Sequence, residues 1–502
     1  MVVPQSNKKM KINRTIMVSC LLLSSLLLGN TALPPDVSIK SSIVKIYSIY
    51  ADYNYSQPWQ KRTQKESSGS GCIIAGNRIL TNAHVVSNST FLQVKRSDQA
   101  KKYNARIHIV AHECDLAILT VNDEAFFDGT KPIPISTLPS IRDKVAVYGF
   151  PVGGDELSIT EGVVSRIEHV RYAHSSVKFM ACQVDAAINS GNSGGPVIMN
   201  DSIVGVAFQA DVTGENIGYM IATPVIGHFL EDIRDGRYDG FPDLGLHIQN
   251  MENSDLRRSC NMGKNMTGVF INRIEYLSPA RNVLAEGDII LYIDSMRVGN
   301  DGSVEFRKGE RTSLLYAVQK RFMNDAIPVV VLRKGEVKKS SIRLKRTKQS
   351  MQLVPYEQYD VAPTYYIAGG LVFEPLTKNY LQEWGSKWYD EGPTRLLNYY
   401  FNGVMTPNRS AVIVLTKVLA DEINVGYHDY SNMVITRINN RRISKINDVI
   451  SAIENNNQKY HVVETENGSR IILLRQNVQK YSSRILRRYQ IHADRSSDLK
   501  KE

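Results

Sequence analysis

Apolar residues along this chain recur mostly in short alternating or continuous runs and seldom at helical spacing. Alternation with period two marks a strand buried on one face, and a short continuous apolar run between turn residues marks a strand buried on both. Residues 38–50 are rich in β-branched and aromatic positions (Ile43, Val44, Ile46, Tyr47, Ile49) and read as a first barrel strand or an oligomer contact. Further strand-like runs occupy 72–74, 79–80, 92–94, 105–110, 144–148, 158–167, 178–184, 196–198 and 203–208, and 225–233 reads as a closing helix. Short strands at these intervals, with little helical pattern between them, predict two packed β-barrels.

The pattern changes near Gly240. Residues 284–294 set a Gly-Asp turn before an apolar strand, 313–321 read as a helix and 329–333 as a closing strand. Residues 369–373, 433–439 and 445–453 repeat this plan more weakly, with an insertion at about 378–404 and Gly426-Tyr427-His428-Asp429-Tyr430 in place of the Gly-Asp turn. At 502 residues the chain is too long for one core. No segment after residue 40 is long and apolar enough to span a bilayer.

Candidate chemistry lies in the barrel region. In Ile188-Asn189-Ser190-Gly191-Asn192-Ser193-Gly194-Gly195-Pro196 a serine sits between glycines, where a tight loop exposes its hydroxyl and turns backbone N–H groups the same way. Such N–H groups stabilise the oxyanion formed when a serine attacks an amide carbonyl. Upstream, Thr81-Asn82-Ala83-His84-Val85-Val86 offers a general base, because an unperturbed imidazole titrates near neutrality. Asp115 stands against an apolar strand, where a carboxylate is costly unless it accepts hydrogen bonds such as that of a histidine N–H. The order His84, Asp115, Ser193 is the chymotrypsin-like one, not that of subtilisin or the α/β-hydrolases. His112 lacks a second ligand pair at zinc-type spacing and reads as structural. The segment Leu244-Gly245-Leu246 reads as a loop able to hold a peptide carboxylate, with the following strand open to an added peptide strand.

Residues 81–86, 114–119 and 185–196 resemble the signature segments of the HtrA/Deg (Do-like) serine proteases, and 216–224 resembles that family's late protease strand. Through Gly240-Phe241-Pro242 and Asn300-Asp301-Gly302 the likeness runs on to the plant-type Deg branch, with one ordinary and one degenerate PDZ domain. It implies a mainly β chain: a chymotrypsin-like double β-barrel protease domain followed by two PDZ-like α+β domains. The boundaries fall at 1–32 for a signal peptide, 33–237 for the protease, 238–348 for the first PDZ domain and 349–502 for the second. The likeness also implies ATP-independent cleavage of unfolded or damaged proteins through an acyl-enzyme. Ser193 would be the nucleophile, His84 the base, Asp115 its orienting carboxylate, and the N–H groups of Gly191 and Ser193 the oxyanion hole. Ile188, Val206 and Phe208 would line an acid-free primary pocket suited to small or medium apolar side chains. No cofactor or metal is implied. Assembly into trimers, hexamers or larger homo-oligomers is implied, with PDZ-assisted capture of substrate. Two alternatives stand beside this reading: a chaperone or scaffold with an idle triad, and a specialised secreted protease with a single target.

Charge and cysteines refine the picture. The net charge is +11, of which Lys8, Lys9, Lys11 and Arg14 contribute four ahead of the apolar stretch 15–28. That arrangement predicts a signal peptide, cleaved after Ala32 or kept as an anchor, and export to the periplasm or outside the cell. The basic run 333–348 reads as a solvated strand face, and Arg484, Arg487 and Arg488 as a solvated tail, since nothing resembles a nucleic-acid module. Cys72, Cys114 and Cys182 read as small core residues.

Overall fold

A computed structural model describes residues 39–151, 154–189, 191–210 and 218–500. The expected signal peptide lies outside the described residues. Strands β1 (Ile43–Tyr50), β2 (Lys65–Ile74), β3 (Arg78–Thr81), β4 (Ser89–Arg96), β5 (Tyr103–Ala111) and β6 (Leu116–Val121) close into a barrel in the order β1-β2-β3-β6-β5-β4. One short helix, α1 (Ala83–Val86), follows β3. The alternating apolar positions point inward, so Ile46, Ile73, Ile79, Val94 and Leu119 are fully buried. Residues 38–50 thus supply a barrel strand along 43–50.

The second barrel repeats the design with β7 (Lys144–Gly149), β8 (Ser158–Arg171), β9 (Lys178–Val184), β10 (Pro196–Met199), β11 (Ser202–Ala210) and β12 (Gly218–Ala222), in the order β10-β11-β12-β9-β8-β7. Its core holds Tyr172, whose hydroxyl donates to Met180 O at 2.8 Å, a bond a buried phenol needs. Helix α2 (Thr223–Asp232) closes it, with a proline in its first turn and Val225, Ile226 and Phe229 buried. Cys72, Cys114 and Cys182 are buried free thiols.

The next unit contains β13 (Leu246–Asn250), α3 (Ser254–Ser259), β14 (Val269–Ile274), β15 (Ile289–Ile293), β16 (Met296–Arg297), the hairpin β17 (Ser303–Arg307) and β18 (Glu310–Ser313), α4 (Leu315–Gln319), β19 (Ala326–Arg333) and β20 (Glu336–Arg343). Its main sheet runs β13-β14-β15-β19-β20. The expected helix over 313–321 shortens to α4 because Ser313 ends β18. The closing strand is β20, which follows β19 and presents the basic run to solvent while Ile342 points inward.

The last unit comprises β21 (Tyr366–Ala368), β22 (Leu371–Pro375), α5 (Lys378–Leu381), α6 (Trp388–Glu391), α7 (Thr394–Asn402), β23 (Ile413–Val418), β24 (Met433–Ile438), β25 (Arg441–Arg442), α8 (Ile446–Glu454), β26 (Tyr460–Thr465), β27 (Arg470–Leu474) and α9 (Arg475–Arg488). The insertion at 378–404 is helical and packs Tyr380, Leu396 and Leu397 against Tyr55, Leu353 and Leu376. The basic cluster near the end is not a solvated tail. It lies on α9, where Arg484 and Arg488 both bind the buried Asp421 carboxylate. Of α9 only Val478 and Ile485 are buried, part of a narrow apolar stripe with Tyr481 on an otherwise polar helix.

Glu374 is 2% exposed and accepts a hydrogen bond from Thr416 Oγ1 at 2.7 Å. Burial pushes its carboxyl up to about 8. Because the folded value lies above the unfolded one, the stabilisation from the neutral acid is complete below about pH 4.5 and is lost as pH rises towards 8. Glu374→Gln is expected to melt like the parent at pH 4.5 and later than the parent at pH 9, by roughly 4 kcal/mol in stability. Thermal melts at both values check this, and parallel pH dependences would contradict it.

Candidate active site

His84, the candidate base, is set just beyond the end of a strand. Thr81 closes β3 and anchors it by donating to Ser70 O at 2.7 Å, and α1 then carries His84 to the barrel rim. Asp115 precedes β6 with φ of +56°, a left-handed conformation that Asp and Asn accept more readily than most residues. Its Oδ2 lies 2.8 Å from His84 Nδ1, and its Oδ1 accepts the His84 backbone N–H at 2.9 Å. Buried Asn82 donates to Asp115 O at 2.8 Å, which fixes the turn against the helix.

The Asp115 side chain is 1% exposed. Burial alone would raise its carboxyl, but the charges of His84 and His174 and the hydrogen bonds from His84 outweigh burial and hold it below the ordinary value. Burial lowers the His84 imidazole, and the Asp115 charge and hydrogen bond outweigh that too, so the net shift is upward. The pair is therefore a carboxylate beside a strengthened base.

The serine loop is pinned from the first barrel. Ser70 on β2 donates its backbone N–H to Ser193 O at 2.8 Å and its hydroxyl to Gly191 O at 2.7 Å, while Phe150 N donates to the same hydroxyl at 2.8 Å. Asn192 N to Asn189 O (3.0 Å), Gly195 N to Asn192 O (2.9 Å) and Gly194 N to Ala207 O (2.9 Å) complete the turn. The N–H groups of Gly191 and Ser193 have no partner among the described residues. His84, Gly191 and Ser193 line one open cleft of about 580 Å³ with Lys45, Tyr47, Glu66 and Ser68. No hydrogen bond joins the Ser193 hydroxyl to the His84 ring among the described residues. Sequence reading missed Ser70. Its one local signal is the small-residue run Ser67-Ser68-Gly69-Ser70-Gly71, in which a Cβ at Gly69 would fall 2.6 Å from Val85.

Ile188, Val206 and Phe208 are 6%, 0% and 5% exposed and belong to the second barrel's core. Ile188 covers Gly218, whose Cβ would lie 2.7 Å from the isoleucine side chain, and Phe208 packs on Tyr172 with ring centroids 4.5 Å apart. None of the three borders the open cleft. In the first PDZ-like unit, Gly245 takes φ of +61° between buried Leu244 and half-buried Leu246 at the start of β13. Its N–H is already held by Asp243 at 2.7 Å. A groove of about 320 Å³ runs between Leu246 and Ile248 on β13 and Leu315 and Val318 on α4, with Arg171 and Lys178 of the second barrel at one side. In the last unit the position corresponding to the free edge of β13 is filled, because β22 pairs with β21 through Gly369 and Gly370.

Known proteins match this architecture. The trypsin-like peptidase domain family matches residues 69–206 and the PDZ domain family residues 354–498. The mitochondrial protease Do-like 4 of Arabidopsis thaliana is 40% identical over 452 residues, spanning 90% of this chain and 84% of that protein. The chain belongs to the Do-like (HtrA/Deg) family of serine endopeptidases. Chloroplastic Do-like 2 of Arabidopsis thaliana, 39% identical over 92% of this chain and 76% of its own, is a second member of the plant type. The HtrA-type protease AlgW with tripeptide shares the fold, at 22% identity and a TM-score of 0.50 over 62% of this chain and 96% of its own. Among the described residues of this Do-like protease, no helix is long and apolar enough to cross a membrane.

Asp115→Asn is expected to reduce kcat about 10⁴-fold, since an amide facing His84 Nδ1 favours the wrong tautomer. Turnover of a short chromogenic peptide per folded chain checks this, and a loss below about tenfold would contradict the role of Asp115 as the orienting carboxylate.

Proposed function

We propose that this protease hydrolyses peptide bonds through a Ser193–His84–Asp115 triad and an acyl-enzyme. Ser193 Oγ attacks the carbonyl carbon as His84 Nε2 takes its proton. The tetrahedral oxyanion rests on the N–H groups of Gly191 and Ser193. Collapse expels the amine, which receives the proton from His84. Water, deprotonated by the same imidazole, then cleaves the ester and restores Ser193. Asp115 holds the imidazole by its ring and its backbone and stabilises the imidazolium. The observation that carries this reading is the double Asp115–His84 contact at the edge of the cleft that Ser193 also lines.

The substrates are unfolded or damaged proteins, cut without ATP, with Ile188, Val206 and Phe208 shaping an apolar primary pocket once it opens. The groove between β13 and α4, with Leu244, Gly245 and Leu246 at its end, captures extended peptide termini as an added strand. Residues 33–237 form the protease domain, 238–348 the first PDZ domain and 349–502 the second. The working unit is a homo-oligomer of trimers. Residues 1–32 direct the chain out of the cytosol to the periplasm or the cell exterior, or to an organelle like those named for its mitochondrial and chloroplastic relatives.

The test incubates an unfolded protein with the chain and with Ser193→Ala, without ATP, and reads the product ends by mass spectrometry. Cleavage by the parent alone supports the reading. A chaperone with an idle triad draws on the missing Ser193–His84 hydrogen bond. It predicts that both forms suppress aggregation and neither cleaves.

A further inference from the structure

The two catalytic segments are tied together from outside the protease fold. Asp360 lies at the start of the last PDZ-like unit, ahead of β21, with φ of +59°. Its backbone N–H donates to Asn88 Oδ1 at 2.8 Å, and its Oδ1 accepts the Asn88 N–H at 2.6 Å. Asn88 stands four residues beyond His84, just past α1. Asp360 Oδ2 accepts from His112 Nε2 at 2.8 Å, and His112 stands three residues before Asp115. The His112 carbonyl accepts the Asp115 N–H at 3.4 Å. One carboxylate thus grips the segment that carries the base and the segment that carries its orienting partner.

Aromatic groups continue the contact towards the site. His112 Nδ1 lies within hydrogen-bond distance of His174 Nε2, at 3.0 Å, and His174 stacks on Tyr359 with ring centroids 3.8 Å apart. The Tyr359 hydroxyl donates to His174 O at 3.1 Å. The His174 ring then lies 6.1 Å from the ring of His84. The adjoining Glu113 receives the other interdomain stretch, accepting from Phe241 N at 3.0 Å and from the Tyr238 hydroxyl at 3.2 Å.

A one-turn helix has no intrinsic stability, so α1 keeps its place through the burial of Ala83, Val85 and Val86 in the first barrel and through what holds its ends. The Asp115 turn before β6 is likewise too short to hold itself. We infer that Asp360 is a positioning residue of the protease: it fixes the spacing of His84 and Asp115 through Asn88 and His112, so that the catalytic pair is complete only when the opening segment of the last PDZ-like unit is docked. This rests on the triad proposed above.

The test uses the full chain, Asp360→Ala and the milder Asp360→Asn, which keeps an oxygen for Asn88 and loses the acceptor for His112. Active serines are counted with a fluorophosphonate probe, and a short chromogenic peptide that does not engage a PDZ groove is the substrate. Asp360→Ala is expected to lower kcat per labelled serine about 10- to 100-fold with KM little changed, and Asp360→Asn to fall between it and the parent. The acid limb of kcat/KM is expected to move down in pH as the Asp115 contact with His84 loosens, the groups facing that imidazole being Asp115 and His174. Unchanged kcat per labelled serine and an unchanged acid limb in both variants, with a lower melting temperature, would overturn the inference and leave Asp360 a mere brace. A parent that neither labels nor hydrolyses would overturn the triad and this inference together, whereas an active parent with unaffected variants overturns this inference alone.

Discussion

Ser193→Ala is expected to lower turnover of an unfolded protein about a million-fold while the chain folds and melts as before. Both halves of that expectation come from the loop. The Ser193 hydroxyl makes no hydrogen bond among the described residues, so its removal strands no partner. The bonds that shape the loop run through backbone groups and Ser70, and all of them survive the substitution. What is lost is the proposed nucleophile, and without it the proposed pair His84 and Asp115 has nothing to activate. The N–H groups of Gly191 and residue 193 remain, so weak catalysis by polarised water persists at about 10³- to 10⁴-fold over solution. The measurement is product formation over days by mass spectrometry, with circular dichroism as the folding control. Cleavage within tenfold of the parent would remove Ser193 from the mechanism.

The second large effect is expected at Gly194. Its φ is +84°, and an added Cβ would lie 2.2 Å from Ser70 O and 2.3 Å from Thr81 Oγ1. Those two atoms are bonded to each other at 2.7 Å, at the junction of β2 and β3, and have no slack to give. Gly194→Ala should therefore cost about 1–2 kcal/mol for the left-handed backbone and a further 1–3 kcal/mol for the overlap. The loop relieves this by moving Ser193 away from His84, so activity falls more than stability does. Gly129→Ala is the control: φ there is +71°, but nothing lies within 4 Å of the new Cβ. Melting temperature and turnover measured on both variants separate backbone strain from collision. Equal losses in the two would show that the Ser70–Thr81 contact exerts no control over the loop.

The barrel strands were legible because burial on a sheet alternates every second residue, as along β4, or runs unbroken where both faces are covered, as along β6 and β12, and either pattern can be read within one segment. The attachment of helix α9 was not, since besides the narrow stripe of Val478 and Ile485 it rests on Arg484 and Arg488 at Asp421, ion pairs that leave no periodic mark. The same divide runs through the active site. His84, Asp115 and Ser193 announce themselves because each needs its own local frame: a strand end, a turn before a strand, a glycine-bounded loop. Ser70 contacts a loop 121 residues away, and Asp360 reaches His112 across 248 residues. Val206, expected at a pocket wall, is fully buried in the barrel core, because which strand face lines a cleft depends on how the barrel closes. By itself the sequence determined the candidate triad, the β-rich barrels that present it, and the family to which the chain belongs. The tertiary structure alone decided what gathers those residues around one cleft, because polar contacts between remote segments follow from how the units pack and leave no signal in the spacing of residues along the chain.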